Sequence, residues 1–170
     1  MEMNVIMKDP KKSNYYYEES IKTLRTNIQF SSKQVKTILL TSCYPNEGKS
    51  DIAFSLAVEM GKLGKKVLLI DADIRKSAFV HRYHVNEAVK GLSQYLSGQV
   101  GLEDIIYHTN FQNMDIVFAG PEAPNPSELL GDEEFSEMLC QKREDYAYIF
   151  IDTPPAANLT DAIVVARNCD

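Results

Sequence analysis

The stretch ILLTSCYPNEGKSD, residues 38–51, decides how the rest of this chain is read. Around its first half, VKTILLT (35–41) is a short apolar run rich in β-formers and bounded by turn formers, so it reads as a buried strand. After Gly48 the segment SDIAFSLAVEMGKLG has helical spacing, with Gly61 and Gly64 placed to close it. Strand, short loop and helix is the context a phosphate-binding loop requires. Gly48 lets the backbone approach a phosphate, Lys49 can reach β and γ oxygens, and the Ser50 hydroxyl can ligate Mg²⁺. The pattern GxxxxGK[ST] is met except at its first position, which holds Cys43. Asn46 tolerates left-handed backbone and, with Glu47, completes the loop. Asp51 falls in the first helical turn, where amides and the helix dipole favour an anion. A phosphate in that place would be repelled by on the order of 3 kcal/mol at about 5 Å and an effective dielectric near 20. The loop is therefore expected to bind nucleotide, with Asp51 weakening it.

Two further strand ends point the same way. KKVLLIDAD (65–73) is an apolar strand ending near Asp71, and Asp73 lies two residues on, on the same face if strand geometry persists. Two such carboxylates repel unless a cation or proton joins them, and a hydrated Mg²⁺ beside a nucleotide would supply the cation. YIFIDTPP (148–155) delivers Asp152 at the end of another apolar strand, as a Walker B strand does. With NMDIVFAG (113–120) as a further strand, helical patterns at about 88–107 and at 132–143, and Asp132 as an N-cap, the alternation predicts α/β architecture. The sheet is expected to be mainly parallel and covered by helices on both faces, a P-loop NTPase-like arrangement whose ligands bind at the carboxyl ends of the strands.

Composition narrows the function classes. The net charge of −6, with no block of like charges, argues against nucleic acid as the main partner. No apolar run approaches the roughly 20 residues of a membrane span, and the N-terminus is too polar for a secretory signal. Cys43, Cys140 and Cys169 are scattered and read as reduced thiols of a cytoplasmic protein. His81, His84 and His108 show no metal-ligand spacing. Residues 1–14 read as a loose arm, and Ile21, Leu24 and Ile28 place a helix from about Glu18 to Phe30. The division expected is an N-terminal arm with an oligomerisation helix, 1–32, and a P-loop domain, 33–170.

The order EESIKTLRTNIQFSS, PNEGKS, VLLIDADIRKS, AGPEAPNPSELL and YIFIDTPP resembles the bacterial tyrosine kinases of capsule and exopolysaccharide synthesis, from Glu18 onward. Those kinases are similar to the deviant Walker ATPases. The resemblance implies an autophosphorylating protein-tyrosine kinase using ATP and Mg²⁺. Lys49 would stabilise the transferred phosphoryl group, and Ser50 would ligate the metal. Asp71 would act at the metal and as base toward a tyrosine hydroxyl, with Asp73 in support and Asp152 holding the metal through water. Glu19, Lys22 and Arg25 match the family's ExxRxxR subunit-contact motif, with Lys for the first Arg, and imply a homo-oligomeric ring. A membrane adaptor would activate the enzyme at the inner face of the plasma membrane. The family's acceptor tyrosines lie in a C-terminal tail, so Tyr15, Tyr16 and Tyr17 are expected to pack or make subunit contacts, and the fold is expected to continue past Asp170.

Two alternatives remain at this level. One is a cell-division or plasmid-partition type ATPase switch, whose KGGxGK[ST] lysine would fall on Tyr44 and whose glycines on Pro45 and Asn46. The other is a catalytically weak nucleotide sensor or scaffold, a reading that rests on Asp51 where the family usually has Thr.

Overall fold

Val67–Asp71 is buried at all five positions, as a strand must be when helices cover both faces of its sheet. The computed structural model describes residues 3–9, 14–85, 87–158 and 160–170, and puts this strand, β3, inside a six-stranded sheet. Its companions are β1 (Asn4–Val5), β2 (Thr37–Leu40), β4 (Ile106–Thr109), β5 (Met114–Val117) and β6 (Tyr148–Asp152). Across the sheet the order is β1-β4-β5-β3-β6-β2. Neighbours run parallel except β4 and β5.

Alternate residues of β3 serve opposite layers. Leu68 and Ile70 join Phe135, Leu139, Ile149 and Ile151 in one core, beneath α4 (Leu92–Leu96), α5 (Pro126–Gly131), α6 (Glu133–Asp145) and α7 (Asp161–Ala166). Val67 and Leu69 join Phe54, Ala57, Met60 and Phe150 in the other, beneath α1 (Tyr15–Ser31), α2 (Lys49–Lys62) and α3 (Phe79–Arg82). Helix α1 is capped by Asn14, whose side chain accepts from the Tyr17 amide at 2.8 Å. It lies on α2 through buried Ile21, a Tyr17–Ser55 hydroxyl bond of 3.0 Å and an Arg25–Glu59 ion pair of 3.1 Å. Asp132 caps α6, as its position before the helical pattern led one to expect.

Two expectations are corrected. The loose arm contains β1, which pairs in parallel with β4. Val5 and Met7 are buried, and Asn110 bonds both the amide and the carbonyl of Met7, at 2.8 and 3.2 Å. The helical pattern drawn through 107 ends earlier: after a 3₁₀ turn at Leu102–Asp104 the chain enters β4, which turns back antiparallel onto β5. Tertiary pairing decides both cases, because a strand this short carries too few residues for its own period to show.

Candidate active site

The loop after β2 is held in the geometry a phosphate needs. Asn46 and Gly48 adopt left-handed backbone, with φ of 63° and 88°. A Cβ at Gly48 would meet nothing within 4 Å, so glycine is favoured there by its φ and not by crowding. Gly48 caps α2 without a side chain, so the first amides of that helix have no side-chain acceptor from the cap.

Beside this loop, β3 and β6 lie in register with Asp71 opposite Asp152, which places two carboxylates on neighbouring strand ends. The Ser50 hydroxyl donates to Asp152 Oδ2 at 2.6 Å, and Lys49 Nζ stands 3.3 Å from Ser50 Oγ and 3.7 Å from Asp152 Oδ1. Burial drives the Asp152 carboxyl up to about 6 against the opposing pull of Lys49 and Ser50. Asp71 is fully buried, and burial with the nearby Asp152 charge raises it to about 8, although Ser77 and the Asp73 amide bond its charged form. Ser77 Oγ donates to Asp71 Oδ2, and the Asp73 amide donates to Oδ1 at 3.2 Å. The second bond shows that strand geometry stops at Asp71. Asp73 turns back, and its own Oδ1 accepts from the Lys76 amide at 3.0 Å.

These residues share a cleft of about 470 Å³ at the carboxyl ends of the strands, the size of a small-ligand site. Asn46, Glu47, Gly48, Lys49, Ser50, Asp71, Asp73 and Asp152 all line it. The Asp51 side chain does not, and here the expectation from sequence is overturned. Asp51 is 4% exposed and turns away from the loop; its Oδ2 accepts from Arg82 Nη2 at 2.6 Å and its Oδ1 faces the Tyr83 hydroxyl at 3.4 Å. A buried carboxylate is held by its counter-ion, and the counter-ion lies on α3.

Other lining residues were not foreseen. Ser77 orients Asp71, and Arg82 lines the wall formed by α3. Arg75, which alone suggests a surface ion pair, grips the buried Asp161 with Nε at 2.6 Å and Nη2 at 2.9 Å, tying the loop after β3 to α7. No periodic signal marks any of the three. Of the proposed contact motif, exposed Glu19 and half-buried Lys22 pair with each other at 2.9 Å, whereas Arg25 turns inward to Glu59. Tyr15 and Tyr16 are exposed on α1, and His108 bonds Asp115 at 2.6 Å.

The donor set fits Mg²⁺. Among the described residues no group of three or more His, Cys, Asp or Glu could hold a metal alone. Mg²⁺ in nucleotide sites takes one or two protein oxygens and completes its shell with phosphate and water. Ser50 Oγ and the buried Asp152 Oδ1, which has no hydrogen-bond partner among the described residues, are oxygens of that kind beside Lys49.

The AAA domain family matches residues 35–168. Tyrosine-protein kinase CpsD of Streptococcus agalactiae (serotype III, strain NEM316) is 42% identical over 153 residues, covering 90% of this chain and 66% of that protein. Tyrosine-protein kinase YwqD of Bacillus subtilis (strain 168) is 39% identical over 173 residues, covering 100% of this chain and 71% of that protein. The chain thus spans about two thirds of the length of these curated relatives. The kinase domain of Escherichia coli tyrosine kinase ETK superposes with a TM-score of 0.85 at 32% identity, covering 90% of this chain and 60% of that one. The septum site-determining protein MinD of Pyrococcus horikoshii, complexed with Mg-ADP, is more distant: TM-score 0.66, 25% identity, 79% of this chain and 54% of that one. With the loop, the paired strand-end carboxylates and these likenesses together, the chain belongs to the bacterial tyrosine-protein kinases built on the AAA-type P-loop domain.

Proposed function

We propose that the cleft binds Mg·ATP and transfers the γ-phosphoryl group to a tyrosine hydroxyl. The observation that carries this is the meeting of Lys49, Ser50, Asp71 and Asp152 in one cleft at the start of α2. The nucleotide phosphates rest on the loop amides from Asn46 to Ser50, with Lys49 at the β and γ oxygens. Ser50 and, through water, Asp152 would hold Mg²⁺, which would supply positive charge at those oxygens. Asp71, oriented by Ser77 and the Asp73 amide, accepts the tyrosine proton as the tyrosine oxygen bonds to phosphorus and ADP leaves. Its proton affinity, raised by burial toward neutrality, suits a group that takes up a proton and releases it again.

By resemblance, the enzyme acts on its own tyrosines and on those of proteins governing capsule or exopolysaccharide synthesis. It works at the cytoplasmic face of the membrane, activated by a membrane adaptor's cytoplasmic segment. Among the described residues no helix is long and apolar enough to cross a membrane. Of the contact motif, Glu19 and Lys22 stay on the outer side of α1, where subunit contact is open to them. The scaffold reading is weakened on one count, since the Asp51 carboxylate is paired with Arg82. The ATPase-switch reading has no signature lysine, since Tyr44 stands at that position.

Lys49→Met in the whole chain tests the site. It removes charge stabilisation that is strongest in the transition state, so Mg·ATP-dependent tyrosine phosphorylation should fall at least a hundredfold. Wild-type phosphorylation in this variant would show that the site is elsewhere.

A further inference from the structure

A carboxylate in the first turn of α2, next to a loop that binds phosphate, is an apparent conflict of charge. The structure resolves it through α3. Asp51 is buried, and both of its oxygens face residues at the end of α3: Arg82 at 2.6 Å and Tyr83 at 3.4 Å. Tyr83 is itself fixed, with its ring stacked on Phe54 of α2 at a centroid distance of 4.2 Å. The anchor is thus rigid, and what it anchors is a guanidinium lining the cleft together with Lys49 and Ser50.

Arginine carries five N–H donors in a planar fork. Arg82 gives one nitrogen, Nη2, to Asp51. Among the described residues its other side-chain N–H groups make no hydrogen bond, and the side chain is 40% exposed. Of the other cleft cations, Arg75 is gripped by Asp161 and Lys49 sits between Ser50 and Asp152, while Lys76 is exposed on the loop after β3 with no buried carboxylate to position it among the described residues.

We propose that Arg82 is a phosphate-contacting residue of the nucleotide site and that Asp51 is its positioning residue, so that the pair delivers the rest of the fork to the phosphate chain. The inference rests on the Mg·ATP reading above and adds a contact to it. On this account the Asp51 charge does not oppose the nucleotide, because it is spent within the protein on a cation that the nucleotide also meets. Pre-placing the guanidinium removes part of the ordering cost of binding.

Calorimetric titration of the folded whole chain with Mg·ATP tests the assignment. The wild-type titration checks the underlying reading by itself: no Mg·ATP binding there would sink that reading, and this one with it. Given wild-type binding, Arg82→Gln keeps a donor for Asp51 while removing the charge. It should weaken Mg·ATP binding roughly tenfold to a hundredfold, the usual loss of a charge-assisted hydrogen bond. Arg82→Lys should recover only part of that loss, because a compact ammonium lacks the planar fork that reaches Asp51 and a phosphate from opposite sides. Asp51→Asn should weaken binding as well, and the double variant should be no weaker than Arg82→Gln alone, since a positioning residue acts only through the residue it holds. Wild-type affinity in Arg82→Gln would overturn the proposal. So would unchanged ATP affinity with a raised KM for the acceptor tyrosine segment, which would assign the guanidinium to the acceptor. Additive losses in the double variant would overturn the positioning role of Asp51.

Discussion

Replacing Arg75 by alanine should cost more than its partly exposed position implies. Asp161, its partner, is 1% exposed and accepts from Arg75 Nε, Arg75 Nη2 and the Ser127 hydroxyl. Burial pushes this carboxyl up, but the bonds from Arg75 and Ser127 outweigh burial and hold it below the usual range. Truncating Arg75 leaves a buried carboxylate with its counter-ion gone. Breaking a buried pair in this way costs 3–5 kcal/mol, and the exposure of Arg75 together with the surviving Ser127 bond favours the lower end, about 3 kcal/mol. In a chain of this size that corresponds to a melting temperature lower by roughly 6–12 °C. The pH dependence has a definite sign. A carboxyl held low in the folded state contributes stability that is complete above its unfolded value near 3.9 and is lost as pH falls through the folded value. In Arg75→Ala the same buried carboxyl is raised instead, so the variant gains stability as pH falls toward that unfolded value. The gap between wild type and variant should therefore be widest at neutral pH and close on acidification. Urea unfolding of both proteins between about pH 7 and 4 measures it. A loss under about 1 kcal/mol at pH 7, or a gap that widens on acidification, would refute the reasoning.

Gly91→Ala should destabilise by about 3 kcal/mol or more, because the added Cβ would lie 2.2 Å from the Gly120 nitrogen and 2.5 Å from the Phe118 carbonyl oxygen, both backbone. A melting temperature within 2 °C of wild type would mean that this approach relaxes easily. Tyr146→Phe removes the hydroxyl that donates to Asp115 Oδ2 at 2.7 Å and leaves a buried carboxylate oxygen without that donor. The expected loss is about 1–3 kcal/mol, read from the urea midpoint, and a more stable variant would contradict it.

What the sequence revealed and what it hid divide along sequence separation. The phosphate loop was readable because Asn46, Gly48, Lys49 and Ser50 act within one turn, and both left-handed positions fell on residues that tolerate that backbone. The strand ends at Asp71 and Asp152 were readable because fully apolar runs precede them, although that the two stand opposite each other is a fact of register. Asp51 misled because a rule about the first helical turn says nothing of α3, 31 residues further on, where its partner Arg82 lies. Arg25 shows the same limit: its spacing from Glu19 and Lys22 was visible, but Glu59 on α2, which turns it inward, was not. β1 is two residues long and pairs with a strand about a hundred residues away, so neither periodicity nor propensity could announce it.

The central claim is that this cleft moves phosphate onto tyrosine, and the identity of the labelled product tests it most directly. Whole chain, Mg²⁺ and γ-labelled ATP are incubated with a tyrosine-bearing acceptor segment and the activating segment of the proposed membrane adaptor, and the label is traced to protein tyrosine, to free phosphate or to neither. The account predicts phosphotyrosine that depends on Mg²⁺ and disappears in Asp71→Asn, with folding of the variant verified by its melting curve. Label found only as free phosphate would make the protein an ATPase switch, and phosphotyrosine undiminished in Asp71→Asn would remove Asp71 from its role as base.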